Sequence, residues 1–388
     1  MNANRRTIAI LLLMATLLSV TLACMASTTS SPQPTQASQA QVDLTKMAET
    51  TLTAMPVRTF EVPPTPTPLP FGQSREKPYP RDKVVSAPNW KIQVVDVKRG
   101  EEAWKDLQDA NSKNETPPEG MEYLLVKIHA KSAYNDRDAH NISRCDFSVT
   151  GDMLINYPCS MSSVVEPEPQ LNANLFNGEE TEGWAGYLVT QGEGNLMLVV
   201  NESMNFDSGA NRYIALDEGA SISTPADLAS IGSNDTGIDN NSPAPRTEKV
   251  ITQDWELSIV DAIRGEEAWI MVQEANPFTE PPIECYEYIV VKVHVRYLGK
   301  EEKAVNINGK YFRYGLLPRA PNVVSPSPQL DVWLFPGGEV EGWVVIEVPK
   351  GKNNITLIFN PELDGNMFND RHISLEPIEP RAANPCIQ

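Results

Sequence analysis

Histidine is scarce in this 388-residue chain: four are present, with five cysteines. Protein metal sites draw mainly on clusters of His, Cys and carboxylates, so little is left for metal chemistry. Basic residues are outnumbered, 32 Lys and Arg against 51 Asp and Glu, and the net charge is −19. No stretch is rich in Lys or Arg. Phosphate binding needs a basic face, so nucleic acid is excluded as a partner. Beyond the N-terminus no apolar run is long enough to span a bilayer, which excludes a polytopic membrane protein. Glycine periodicity and sustained heptads are also absent, which excludes collagen and coiled coil. What is present is ordinary for a globular chain: 41% apolar and 21% charged residues. The length suggests two domains.

The N-terminus reads as an address. Arg5 and Arg6 precede the uncharged apolar run Ile8 to Ala23. That run is short for a spanning helix and suits a signal peptide. Cys24 follows Thr21-Leu22-Ala23. The arrangement resembles the lipobox of bacterial lipoproteins, in which the cysteine is diacylated and becomes the new N-terminus. It departs in placing Leu22 one position closer to the cysteine than usual. Cleavage after Ala26 and an uncleaved anchor are the alternatives. Each predicts an extracytoplasmic chain, lipid-anchored in the first case. The acidic charge keeps such a chain soluble and discourages contact with anionic surfaces.

Residues 24–83 have the composition of a disordered tether. Ten of the 32 prolines and none of the seven tryptophans lie in 25–85. The early part is Ser/Thr/Gln-rich and buries too little to fold. Val62 to Pro70 (VPPTPTPLP) predicts an extended polyproline spacer. Between them, Leu44, Met47, Ala48 and Leu52 lie at the spacing of a short amphipathic helix that is marginal alone.

The chain then repeats itself. Trp90 to Trp104 matches Trp255 to Trp269 at nine of fifteen positions. EYLLVKIHAK at 122–131 matches EYIVVKVHVR at 287–296, and 169–189 matches 328–348. This is a tandem duplication, and each unit is long enough to hold its own core. The expected modules span 84–217 and 250–380. Residues 218–249 are rich in Ser, Asn, Asp, Gly and Pro and read as a flexible linker.

Each module is mostly strand. Leu124, Val126, Ile128 and Ala130 alternate with Leu125, Lys127, His129 and Lys131, the period of a half-buried antiparallel strand. About seven such strands with Gly, Pro and Asn turns predict a mainly β fold, two tandem Ig-like sandwiches. A short helix interrupts each after the first long strand. Glu101 and Glu102 suit its positive N-terminal end, and so do Glu266 and Glu267. Trp104 and Trp269 hold the same position in the two copies. Core packing, as a lid over an open end or edge of the sandwich, is the simpler role, and a ligand-pocket wall is the other.

These residues, with LFPGGEVEGWVVIEVPKG at 334–351, resemble the immunoglobulin-like domain of unknown function 4352, common in bacterial lipoproteins. The second copy fits better. The first has Asn177 and Glu179 where the second has Pro336 and Gly338. The resemblance implies an extracytoplasmic Ig-like sandwich and brings no catalytic residue.

With Cys24 assigned to lipid, two cysteines remain per module: Cys145 and Cys159, then Cys285 and Cys386. An even number outside the cytoplasm suggests one disulfide each. Their positions are not equivalent, and free buried thiols are the alternative. No catalytic set stands out. His129 and His294 are equivalent but alternate with Lys on a strand. His140 and His372 lack neighbours at ligand spacing. No G-x-S-x-G is present. The aspartates at 235, 239 and 364 do not fit a calcium loop. No metal or other cofactor is expected. The reading is a non-enzymatic surface protein, attached to the membrane through its N-terminal lipid, that binds an unknown extracytoplasmic protein or small ligand. A structural spacer and the accessory subunit of an enzyme are the alternatives.

Overall fold

The duplication is realised strand for strand. The structure is a computed structural model that describes residues 70–200, 211–315, 323–362, 369–378 and 380. The signal segment, Cys24, the amphipathic stretch and Cys386 lie outside the described residues. The first repeat contains Val85–Ser86 (β1), Trp90–Arg99 (β2), the helix Gly100–Ala110 (α1), Met121–Ser132 (β3), His140–Ser143 (β4), Phe147–Thr150 (β5), Ile155–Pro158 (β6), Asn172–Leu175 (β7), Glu180–Thr190 (β8), Met197–Val200 (β9) and Arg212–Ala215 (β10). The second contains Val250–Ile251 (β11), Trp255–Arg264 (β12), the helix Glu266–Ala275 (α2), Tyr286–Tyr297 (β13), Val305–Asn308 (β14), Phe312–Arg313 (β15), Asp331–Leu334 (β16), Glu339–Pro349 (β17), Thr356–Phe359 (β18) and Arg371–Ser374 (β19).

One sheet of each repeat has the order β1-β2-β3-β8 or β11-β12-β13-β17. Pairing is antiparallel and in the same register, with Ile92 opposite Ala130 and Leu257 opposite Val295. Both copies also place a bulge at the same point, before Asp96 and before Asp261. The facing strands are β10-β9-β5-β6 in the first repeat and β15-β18-β19 in the second. Inward residues of both layers meet in one core per repeat: Trp90, Ile92, Leu124, Tyr187, Leu198 and Ile214 belong to the first. Trp255, Leu257, Ile289, Ile346, Leu357 and Ile373 belong to the second. The fold is mainly β, two antiparallel sandwiches.

The helices do not cover an open end or edge of the sandwich. Each lies on the outer face of the first sheet and makes a small second core there. Ala103 and Leu107 meet Tyr123, Leu125 and Leu188; Ala268 and Val272 meet Tyr288, Val290 and Val345. This explains why Leu125, on the polar side of the alternation, is fully buried. Period two shows which face a residue occupies but not what covers that face.

The segment assigned to a flexible linker is packed. Ala220, Ile222, Leu228 and Ala244 are buried. The Ala244 N–H donates to the His372 carbonyl at 2.8 Å, and Arg296 pairs with Asp227 at 2.8 Å. The last part of the expected tether is packed too. Tyr79 donates its N–H to Tyr213 O, and Ala215 N–H donates to Tyr79 O, both at 2.8 Å. Small apolar residues scattered among polar ones fill these contacts. Composition registers the polar majority and misses the few that pack.

The repeats are joined through a sheet. β16 of the second pairs with β6 of the first, Trp333 opposite Asn156 and Leu334 opposite Ile155. The result is a six-stranded sheet, β10-β9-β5-β6-β16-β14. Phe335 donates its N–H to Leu154 O at 2.8 Å and packs with Leu154, Met197 and Tyr213. Arg75 closes the joint. Its Nε donates to Glu302 Oε1 at 2.7 Å, and its guanidinium lies 4.4 Å over the Phe335 ring. Both repeats belong to one compact unit.

Candidate functional site

The residues singled out in the sequence fall in separate places. Cys145 and Cys159 are bonded to each other. Cys285 is disulfide-bonded as well. Trp104 stacks on Tyr123 with ring centroids 5.7 Å apart, and Trp269 leans on Tyr288 at 6.0 Å. Both tryptophans pack against the small core under their helix.

The histidines are dispersed. His129 and His294 lie on the outer faces of β3 and β13, 3.9 Å from Glu180 and 3.6 Å from Glu339. His140 does have a carboxylate neighbour, contrary to expectation: Asp136 lies 2.9 Å from its Nε2, and this contact lowers the Asp136 pKa. Burial lowers the pKa of His372 below its ordinary 6.5. Among the described residues no three His, Cys, Asp or Glu side chains are grouped to hold a metal.

Two equivalent ion pairs stiffen the start of each helix. Arg99 pairs with Glu122 and Arg264 with Glu287. Each arginine also donates to a carbonyl of the turn after β8 or β17, Glu193 O at 3.0 Å and Lys352 O at 3.1 Å. The first repeat adds a buried carboxylate. Glu193 accepts from Met153 N–H at 3.1 Å and from the Tyr157 hydroxyl. Burial raises its pKa above the ordinary 4.5 and raises that of Tyr157 as well. This group holds the turn that carries Leu154 into the joint, so its role is architectural.

A roomy concave feature lies in the first repeat. It is a cleft of about 770 Å³ whose wall includes Arg81, Asp82, Val95, His129, Glu182 and Leu216. Its volume is in the range of sites for small ligands, roughly 300–1,000 Å³. The turn 80–82, the bulged middle of β2 and the exit from β10 bring these residues together. Arg81 donates to Asp96 on the bulge at 3.5 Å, and its counterpart Arg246 donates to Asp261 at 3.0 Å. Sequence reading missed both arginines. The signal was present: Pro80-Arg81 and Pro245-Arg246 lie at the repeat spacing, just outside the conspicuous block. A smaller cleft of about 490 Å³ in the second repeat is walled by Gln253, Asp254, Gly299 and Lys300.

No family model matches the chain. No curated protein matches it either. Among solved structures it is similar to a candidate lipoprotein, ycdA, from Bacillus subtilis, at 14% identity and TM-score 0.26, over 34% of this chain and 38% of that one. The chain thus spans well under half the length of that protein. It is also similar to the yjhA protein of Bacillus subtilis, at 15% identity and TM-score 0.25, over 36% of this chain and 99% of that one. An uncharacterised β-sandwich protein from Clostridium difficile 630 overlaps at 10% identity and TM-score 0.23, over 37% and 96%. The fold is defined by this chain's own strand pairing. Among the described residues no helix is long and apolar enough to cross a membrane.

Proposed function

We infer that the protein is a non-enzymatic, lipid-anchored protein of the bacterial cell surface that binds an extracytoplasmic partner through its tandem sandwich modules. One observation carries the reading: an apolar address ends at Cys24, and a Pro/Ser/Thr-rich segment separates it from two duplicated modules. Lipid on Cys24 would hold the chain at the membrane, and the spacer would lift the modules away from it. A second reading, a structural spacer without a ligand, is favoured by the six-stranded sheet that fuses the repeats, since a stiff joint suits a strut. Capture from envelope extracts with the full chain separates the two. Reproducible recovery of one partner supports binding, and repeated recovery of none supports the spacer. Globomycin-sensitive processing that disappears in Cys24→Ala is expected of the lipid anchor. Processing unaffected by either would sink it.

A further inference from the structure

The two helices stand on the same core and carry different surfaces. Under α1, Ala103 and Leu107 are buried and Trp104 stacks on Tyr123; under α2, Ala268 and Val272 are buried and Trp269 leans on Tyr288. At four equivalent positions the first repeat has a charge and the second an apolar side chain: Lys98 and Ile263, Lys105 and Ile270, Asp106 and Met271, Lys113 and Phe278. Lys98 and Asp106 pair at 2.6 Å, whereas Ile263 and Met271 pack on the small core. Ile270 and Phe278 stay in solvent, 47% and 92% exposed, and so does Ile283 at 48%. The segment after α2 folds back beside the helix, since the Tyr288 hydroxyl donates to the Glu280 carbonyl at 3.4 Å. The first repeat builds the same helix on the same core with lysines in place of Ile270 and Phe278, so the fold does not require them to be apolar. Exposed apolar groups gathered in this way mark a contact surface. Their surroundings set the chemistry of the partner. Between 266 and 284 the chain carries five glutamates, all exposed, and no lysine or arginine. Glu347 of β17 adds a carboxylate there, accepting from the Ile283 N–H at 3.1 Å.

We propose that α2 and the segment that follows it bind an amphipathic helix of a partner protein, with leucines or isoleucines along one face and lysines or arginines beside them. A helix face presents no unpaired backbone N–H or C=O, so an added strand has nothing to pair with there. Helix-on-helix packing is what this surface allows. The apolar stripe of the partner covers Ile270, Phe278 and Ile283, and its flanking cations meet the glutamates. The same glutamates repel anionic lipid and a second copy of this acidic chain. The inference rests on the binding reading above and names the class of partner.

The test is fluorescence-anisotropy titration of the full chain with a labelled peptide of leucine and lysine, its leucines placed on one helical face. Saturable binding of one peptide per chain, weakening with salt, is expected. A counterpart with glutamate in place of every lysine should not bind. Ile270→Gln combined with Phe278→Ser removes apolar surface without changing charge, and should weaken binding about tenfold or more. Val84→Ser, at a side chain 59% exposed in the first repeat, should leave binding unchanged. Circular dichroism checks the double variant, whose fold α1 shows to tolerate polar residues at both positions. No binding, binding indifferent to the double variant, or equal binding of the glutamate peptide overturns the proposal. Sedimentation that finds a dimer dissolved by the double variant gives the face to a second copy. Binding to phosphatidylglycerol vesicles in a Cys24→Ala background, lost in the double variant, gives it to the membrane. Either result also overturns the proposal. A partner from envelope extracts retained by the double variant would sink this face and leave the binding reading standing.

Discussion

Arg264 is fully buried and its partner Glu287 nearly so, whereas Arg99 is about one-third exposed against Glu122. Removing one partner of a buried pair leaves an uncompensated charge. Glu287→Ala is therefore expected to cost about 3–5 kcal/mol, and Glu122→Ala less, because water can reach Arg99. Urea unfolding of the two variants measures the difference. Glu193 gives the pH dependence a definite sign. Burial raises its pKa in the folded state above 4.5, so the folded protein holds this proton more tightly than the unfolded chain. Its contribution favours the fold at acid pH and is lost as pH climbs from 4.5 through the raised value. Glu193→Gln should flatten that slope in urea midpoints followed between roughly pH 4 and pH 8. A slope identical to the parent would show that this carboxyl does not carry it.

At the scale of elements, the duplicated fold does not depend on its extra staples. Lys310 occupies the second-repeat position of Cys145. The Cys145–Cys159 bond closes a loop with a sequence separation of 14. Opening it with Cys145→Ser and Cys159→Ser should cost about 3 kcal/mol by chain entropy. The far-UV circular dichroism should stay intact. The helices are secured by packing rather than by caps, since neither has a side-chain N-cap bond. Leu107→Ala empties the small core above β3 and should cost about 2–5 kcal/mol. Hydrogen exchange should rise in α1 before it rises in β2.

At the scale of the whole molecule, the departures between the repeats explain the joint. Phe335 is 1% exposed in it, and its counterpart Phe176 is 52% exposed. A Cβ on Gly338 would stand 2.8 Å from the Leu154 carbonyl, so only glycine fits. Glu179 stands at the same position in the first repeat, where the turn is free. On the strand beside it, Asn174 replaces Trp333. A polar, charged edge resists the pairing that β16 makes with β6. Gly338→Glu should therefore uncouple the repeats. Calorimetry is expected to show two transitions in place of one, and a single unshifted transition would show that the joint does not couple them.

The β class, the duplication and the alternation that faces each strand inward are legible in the chain before it folds. These are local or self-similar properties, visible in period two and in a repeat spacing. That the helices cover the outer sheet faces, that residues 70–83 and 218–249 are packed, and that β16 extends the first repeat's sheet emerges from long-range packing. Each of these depends on which surface meets a residue far away in the chain. Leu125, Ala244 and Phe335 carry no local mark of the partner that buries them. The same limit hid Arg81: its environment differs from that of Arg246 because the chain continues past β19 and turns away after β10.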